Sequence, residues 1–355
     1  GGMLTIGKEW VHENINPNLK IDLYGQELND VTYSICKSDF LMSDENPENI
    51  RGPLSSISED QFQGRKFDYM ITNPPFGVSW KSEKEFVDEE TKDPNGRFFV
   101  GTPRSSDGSL IFLQHLISKM NPEGSRIGLV FNGSPLFTGD AGSGESEIRK
   151  WIIENDWLEY IVSLPDRMFF NTGITTYIWI VSNKKSDDRK GQVQLIDGTS
   201  FSTSMRKNLG DKGKYITEKQ TQQLFKIYQS NEETEFCKIY PNSFFGYTKV
   251  VIEQPLIEDG LPKTDKTGNP KPDTSKRDSE RVPLSDSIDD WYDREVKPHL
   301  PDSWMDRSKD KVGYEINFTK YFYKFTPLRT LEDISQDLNL LEDEIKQFSL
   351  GMTDE

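Results

Sequence analysis

The run Phe67-Asp68-Tyr69-Met70-Ile71-Thr72 stops against Pro74 and Pro75, and that stop limits the possible folds more than any other stretch of the chain. A short, mostly apolar run bounded by Gly64 and by proline reads as a strand buried on both faces of a parallel sheet. Proline offers no N–H to a ladder and biases the residue before it away from helical dihedrals. The chain must therefore leave the sheet at Asn73 by a stiff turn. In open α/β sheets the carboxyl ends of the strands form the rim where ligands bind. On that rim the sequence sets an amide at Asn73, a fixed carbonyl at Pro74 and a ring at Phe76.

The flanking pattern alternates. Apolar spacing predicts a helix over Leu4–Val11 and a strand over Ile21–Gly25. Asn29 is placed to cap a helix carrying Val31, Tyr33 and Ile35, and Ser38-Asp39-Phe40-Leu41 reads as a further strand end. Leu110, Leu113, Gln114, Ile117 and Met120 recur at helical spacing behind Asp107. Arg126–Phe131 reads as a strand, Glu145–Asn155 as a helix entered through the glycine-rich stretch 139–144, and Leu158–Leu164 as a strand. Gly173–Ser182 and Gln192–Ile196 are expected to pair as a closing β-hairpin, so the fold class is α/β with a doubly wound sheet. We divide the chain into a catalytic domain over 1–255, a polar linker or disordered loop over 256–284, and a C-terminal partner-contacting segment over 285–355. That last segment holds Tyr321-Phe322-Tyr323 and an acidic amphipathic helix from Leu331 to Phe348.

The formal charge of -16 and pI near 4.8 suit a chain that does not grip DNA unaided. Either DNA is not the substrate, or a basic partner makes most of the phosphate contacts. Cys36 and Cys237 are isolated, and His12, His115 and His299 lack metal-ligand spacing, so no metal is expected and a reducing cytoplasm fits. No stretch has the length of a membrane span, and no signal peptide opens the chain.

Asn73 and the Pro74 carbonyl can both accept hydrogen bonds from an exocyclic amine, and Phe76 can stack on a planar base swung out of a helix. An Asn-Pro turn that merely caps a strand explains the tetrapeptide almost equally well. Glu27 and Asp39, read as two earlier strand ends, shift the balance. A carboxylate after the second strand of a nucleotide-binding half-sheet accepts from ribose hydroxyls. Asp39 could accept from a cofactor's adenine amine, with Leu28 and Phe40 packing on its faces. Singly, each acid is an ordinary turn residue. In sequence ahead of Asn73-Pro74-Pro75-Phe76, they point to a nucleoside cofactor.

Several stretches beyond the tetrapeptide carry a family resemblance. They are Gly1-Gly2-Met3-Leu4, Tyr24-Gly25-Gln26-Glu27-Leu28, Phe67 through Trp80, Phe131 through Phe137, Gly142 through Ser146, Asn171-Thr172-Gly173-Ile174, Val312 through Ile316 and Tyr321-Phe322-Tyr323. Together they resemble the modification (M) subunit of type I restriction–modification systems. The resemblance implies a Rossmann-like methyltransferase sheet, S-adenosylmethionine as cofactor, and methylation of adenine N6 in double-stranded DNA. It further implies a specificity (S) subunit that reads the site, a second M subunit, and a restriction (R) subunit in the full complex. Asn73, Pro74, Pro75 and Phe76 take the catalytic positions, and Gly1, Gly2, Glu27, Leu28, Asp39 and Phe40 the cofactor positions. A second aromatic in the family borders the base, for which Phe169 and Phe170 are the candidates. Of the family's glycine loop only Gly1 and Gly2 remain, so the chain is expected to be an inactive fragment truncated at its first strand. Two alternatives stay open: an Asn-Pro-Pro-aromatic methyltransferase acting on a protein glutamine or an RNA guanine, and a non-catalytic assembly module.

Overall fold

A computed structural model describes residues 1–325 and 330–351. The chain opens with helix α1 (Gly2–Asn14), strand β1 (Gly25–Gln26), helix α2 (Asp30–Met42) and strand β2 (Ile50–Arg51). Asn29 caps α2 as expected, its side-chain oxygen accepting from the Thr32 amide at 2.9 Å. The helix then continues straight through Ser38–Leu41, which corrects the strand end expected there. Cys36 and Phe40, four residues apart, share one helical face and bury against Leu23 and Ile50. The strand next to β1 is β2, paired in parallel with Gly25 opposite Ile50 and Gln26 opposite Arg51.

Strand β3 (Tyr69–Thr72), helices α3 (Lys84–Glu90) and α4 (Ser109–Ser118), strand β4 (Arg126–Phe131) and helices α5 (Ser134–Phe137) and α6 (Gly144–Glu154) follow. Next come β5 (Leu158–Ser163), β6 (Tyr177–Ser182), β7 (Gln192–Asp197), the hairpin β8 (Thr203–Leu209) and β9 (Lys212–Tyr215), helix α7 (Glu218–Ser230) and β10 (Cys237–Pro241). Six strands form one sheet in the order β10-β7-β5-β6-β4-β3. β3, β4, β5 and β7 run one way, while β6 and β10 oppose them. Ile127, Leu129, Phe131, Ile161, Trp179, Val181 and Leu195 fill the centre of this sheet. Leu110, Leu113 and Ile117 of α4 and Ile148 and Ile152 of α6 are buried with them.

Two expectations about this sheet are corrected. β6 and β7 do not form a closing hairpin: they lie on either side of β5, antiparallel and parallel to it respectively. β3 is not buried on both faces. It is an edge strand paired with β4 alone, with Met70 inward and Tyr69 80% exposed. A run apolar on both faces shows that both faces can be covered, not that both are.

The C-terminal part holds β11 (Gly246–Glu253), β12 (Ile257–Glu258), β13 (Leu261–Pro262), β14 (Asp278–Pro283), helix α8 (Ile288–Glu295), β15 (Trp304–Met305) and β16 (Lys311–Tyr314). β11 pairs antiparallel with β14, β15 and β16. The polar stretch 256–284 thus contains a small hairpin and a full strand, whose Val282 is buried opposite Thr248. One inward valine among exposed polar residues is a weak period-2 signal, which is why composition reads as loop. Arg149 of α6 locks this part to the rest. Its buried guanidinium donates to the carbonyls of Tyr314 (2.6 Å), Pro135 (3.1 Å) and Gly139 (3.4 Å), and the Tyr314 amide donates to Ser146 Oγ at 3.0 Å. The chain divides into two units, Gly1–Phe318 and Thr319–Glu355. Helix α9 (Phe318–Tyr321) spans their boundary, and α10 (Leu331–Gly351) carries Leu331, Ile334, Leu338, Leu341 and Ile345 at helical spacing.

Candidate active site

Thr72 pairs with Leu129, so the adjacent parallel strands β3 and β4 deliver Asn73-Pro74-Pro75-Phe76 and Asn132-Gly133-Ser134-Pro135 to one rim. Asn73 is exposed and its side chain makes no hydrogen bond among the described residues. Pro74 is buried, and its carbonyl accepts no hydrogen bond among those residues. Both acceptors of the turn therefore lack an internal donor among the described residues. The exit is pinned by Trp80, buried with Ile57, Val87, Phe98 and Ile111. Its indole N–H donates to the Arg104 carbonyl at 3.0 Å and its amide to the Ser105 carbonyl at 3.1 Å. Gly77, at φ +61, makes the bend between the prolines and this anchor.

Phe76 meets Phe169 edge to face, with ring centroids 6.3 Å apart. Phe169 rests against the cluster of Val162, Leu164, Ile196 and Cys237, so it presents a fixed second wall. Phe170 points elsewhere: it is 61% exposed, with Lys212 Nζ 5.0 Å from its ring centroid. Of the two aromatic candidates, the structure brings Phe169 to the turn.

Glu27 follows β1. Its Oε1 accepts from the Asn29 amide at 2.8 Å, and Oε2 has no partner among the described residues. A carboxylate with one open oxygen at a parallel strand end fits the ribose hydroxyls of a nucleoside cofactor. Gly52, at the end of β2, comes so close that a Cβ there would lie 2.4 Å from the Glu27 carbonyl oxygen. Gln26 fastens the same loop, donating to the carbonyls of Leu54 (3.1 Å) and Glu59 (3.0 Å) and accepting from the Gln61 amide. Leu28 is 64% exposed beside Glu27, free to pack on a flat ligand. Gly1 and the first turn of α1 belong to this group: a Cβ on Gly25 would contact Leu4, and one on Gly1 would crowd Cys36 and Phe40.

Asp39 and Phe40 do not join them as strand-end residues. Asp39 lies in the last turns of α2, and Phe40 is fully buried with Leu23, Cys36 and Ile50. The strand end assigned to Asp39 is occupied by Gly52-Pro53-Leu54 instead. Tyr24, Phe62 and Phe67 link the Glu27 group to β3, with all three ring pairs 5.8 to 5.9 Å apart.

Behind the turn, Arg97 bonds Glu90 and the His115 Nδ1, and Lys119 pairs with Asp60. Burial, helped by the Arg97 guanidinium, pushes His115 down to about 4, so it is neutral at pH 7. This network holds the segment 81–104 against α4. Among the described residues no group of His, Cys, Asp and Glu is arranged to hold a metal, and no helix is long and apolar enough to cross a membrane.

The chain is thus an α/β protein with Asn73 and Pro74 at the carboxyl end of β3 and the Glu27 carboxylate at the end of β1 in a separate two-stranded sheet. The chain belongs to the N-6 DNA Methylase family, which it matches over residues 1–251. It is 26% identical over 254 residues to the type I restriction enzyme MjaIX methylase subunit of Methanocaldococcus jannaschii, covering 70% of this chain and 42% of that one. It is 32% identical over 184 residues to the HindI methylase subunit of Haemophilus influenzae, covering 52% of this chain and 38% of that one. The chain thus spans about two fifths of the length of these relatives. Among solved structures it resembles a type I methyltransferase subunit from Streptococcus thermophilus, with TM-score 0.54, 23% identity, and coverage of 63% of this chain and 46% of that one. The EcoKI M protein matches with TM-score 0.51 and 19% identity over 86% of this chain and 60% of that one. These likenesses show the shared methyltransferase fold.

Proposed function

We propose that this chain is the methylase component of a type I restriction–modification assembly, placing a methyl group on N6 of an adenine flipped out of double-stranded DNA. The observation that carries this reading is the Asn73-Pro74 pair of unpartnered acceptors in the same turn as Phe76, whose ring meets Phe169. Asn73 and Pro74 accept from the adenine amine, turning its lone pair out of conjugation with the ring. Phe76 stacks on the base and Phe169 fixes Phe76 from the side. S-adenosylmethionine supplies the methyl group, and Glu27, Leu28, Gly1 and Gly2 are the residues assigned to hold it. Asp39 and Phe40 keep, at most, a supporting place beneath that group. The protein's contribution is mainly positioning, because an in-line transfer between two held reactants needs no covalent protein intermediate.

In this reading an S subunit supplies sequence specificity, a second M subunit completes the modification unit, and an R subunit joins in the full complex. The acidic balance of the chain supports that division of labour. The Glu27 group lies on a two-stranded sheet separate from the sheet bearing Asn73, which supports a chain that binds cofactor weakly and is inactive by itself. Calorimetric titration of S-adenosylmethionine, with this chain and with a longer version carrying additional N-terminal sequence, tests the proposal. Binding by the longer protein is expected, and weak or no binding by this chain. No binding by either sinks the cofactor assignment and returns Asn73 to a turn residue.

A further inference from the structure

The hairpin β8–β9 is the most basic exposed element near the candidate site. Its 13 residues carry Arg206, Lys207, Lys212 and Lys214 against Asp211 alone, within a chain of net charge -16. Many surface cations elsewhere are neutralised locally: Lys84 by Asp88, Lys92 by Glu89, Lys190 by Asp187, Lys297 by Asp293. Arg206 and Lys207 are exposed and form no ion pair among the described residues. Lys212 lies over the exposed ring of Phe170. Lys214 pairs with Asp166.

The hairpin also clasps the segment that carries Phe169. The Asp211 amide donates to the Phe170 carbonyl at 3.0 Å, and the Gly213 and Lys214 amides donate to the Arg167 carbonyl at 2.9 and 3.1 Å. A Cβ on Gly210 would lie 2.5 Å from the Phe170 carbonyl oxygen, so the turn seats directly on that backbone. Arg167, exposed and at φ +57, donates from Nε to the Asp211 carbonyl at 3.5 Å. A run of contacts therefore leads from the hairpin's turn and β9 through residues 167–170, where Phe169 meets Phe76.

We propose that this hairpin is a phosphate-contacting element for double-stranded DNA, in which Arg206, Lys207 and Lys212 engage the backbone beside the flipped nucleotide. The inference rests on the methylase reading and deepens it. A base swung into the Asn73 turn brings its flanking phosphates to the rim around Phe76. The unpaired cations of a hairpin whose turn and β9 seat on the backbone next to Phe169 then neutralise them. Contacts of this kind set register on the duplex without reading sequence. They also explain why cations are concentrated here in an otherwise acidic chain.

The test is fluorescence anisotropy of this chain with a labelled duplex of about 30 base pairs, across salt from about 20 to 200 mM. The triple variant R206Q/K207Q/K212Q is expected to bind about tenfold more weakly at low salt, with a salt slope shallower by about two to three. The variant K263Q/K266Q/K271Q removes the same charge from the arm after β11 and is expected to leave the slope unchanged. Equal losses in both variants would reduce the effect to net charge and overturn the proposal. No duplex binding by the unaltered chain at the lowest salt would also overturn it. Thermal melting of each variant checks that these exposed substitutions leave the fold intact. Cofactor titration is a separate readout: the hairpin variant is expected to match the unaltered chain there. Cofactor binding by neither this chain nor its N-terminally longer version, with hairpin-dependent duplex binding kept, would break the methylase reading and not this one.

Discussion

Two sheets of the first unit, the six-stranded one and β1–β2, serve the site differently. The six-stranded sheet encloses its own core: Trp179, Phe131, Ile127 and Leu129 are at most 1% exposed and are covered by α4 and α6. The β1–β2 sheet has two residues per strand, and around it Ile6, Trp10, Leu28, Val31, Ile35 and Leu41 are all more than half exposed. Its own cluster is Leu23, Cys36, Phe40 and Ile50, with Leu4, Ile21 and Tyr33 packed against them. A two-stranded sheet is marginal alone and takes its stability from what it packs on. The residue assigned to chemistry, Asn73, hangs from the self-sufficient sheet. The residue assigned to holding the cofactor, Glu27, hangs from the dependent one.

That contrast can be broken by cavities. Trp179→Ala is expected to cost about 3–5 kcal/mol and to lower protection throughout the six-stranded sheet in hydrogen exchange. Phe40→Ala removes a ring equally buried, yet is expected to open only residues around β1, α2 and β2 while β4 to β7 stay protected. A single melting of both regions in F40A would refute the division. The division can also be sharpened by function, in an active assembly with partner subunits. Asn73→Ala is expected to slow methyl transfer by about 10²–10³ with cofactor affinity unchanged. Glu27→Gln is expected to weaken cofactor binding about ten- to hundredfold and to spare the transfer step at saturation. A shift in cofactor affinity in N73A equal to that in E27Q would merge the two roles.

Acid should act on the larger sheet's side. His115 is held near 4 by burial and by Arg97, below its ordinary 6.5, with Asp60, Lys119 and Glu90 also facing it. The unfolded chain binds the proton more readily, so this contribution is complete above pH 6.5 and is lost as pH falls toward 4. It amounts to about 3 kcal/mol at most. Denaturant titrations at pH 7, 5.5 and 4.5 should show stability falling faster for the unaltered chain than for His115→Asn. Parallel curves would remove His115 from the account.

Local signals were legible in the sequence. The Asn29 cap, the α4 stripe, the glycine-rich entry to α6 and the proline stop after Thr72 all depend on neighbours close in sequence. Non-local facts were not. Ser38–Leu41 looked like a strand end because a four-residue apolar run has no distinct period, whereas Cys36 and Phe40 together make a helical face. Which strand lies beside β5 depends on pairing across the sheet, and the sequence gives no sign that β6 enters between β4 and β5. The β8–β9 hairpin did leave a mark. Leu209 pairs with Lys212 across Gly210-Asp211, a two-residue turn of a type that favours hairpins. Which of the adjacent rings of Phe169 and Phe170 turns toward Phe76 is likewise chosen only by folding.

The Arg149 guanidinium also orders events in time. Two of its acceptors, Pro135 and Gly139, follow β4, but the third is Tyr314, 165 positions later. The Ile316 amide likewise reaches back to the Leu136 carbonyl at 2.8 Å. During synthesis from the amino terminus, α4, β4 and α6 can assemble as soon as they emerge, since their contacts are close in sequence. The loop beside Asn132 then waits, with a buried cation one acceptor short, until the ribosome has released almost the entire first unit. A ribosome-stalled chain ending before Lys311 would hold a formed sheet and an unfinished rim, so the protein acquires its shape before it acquires its site.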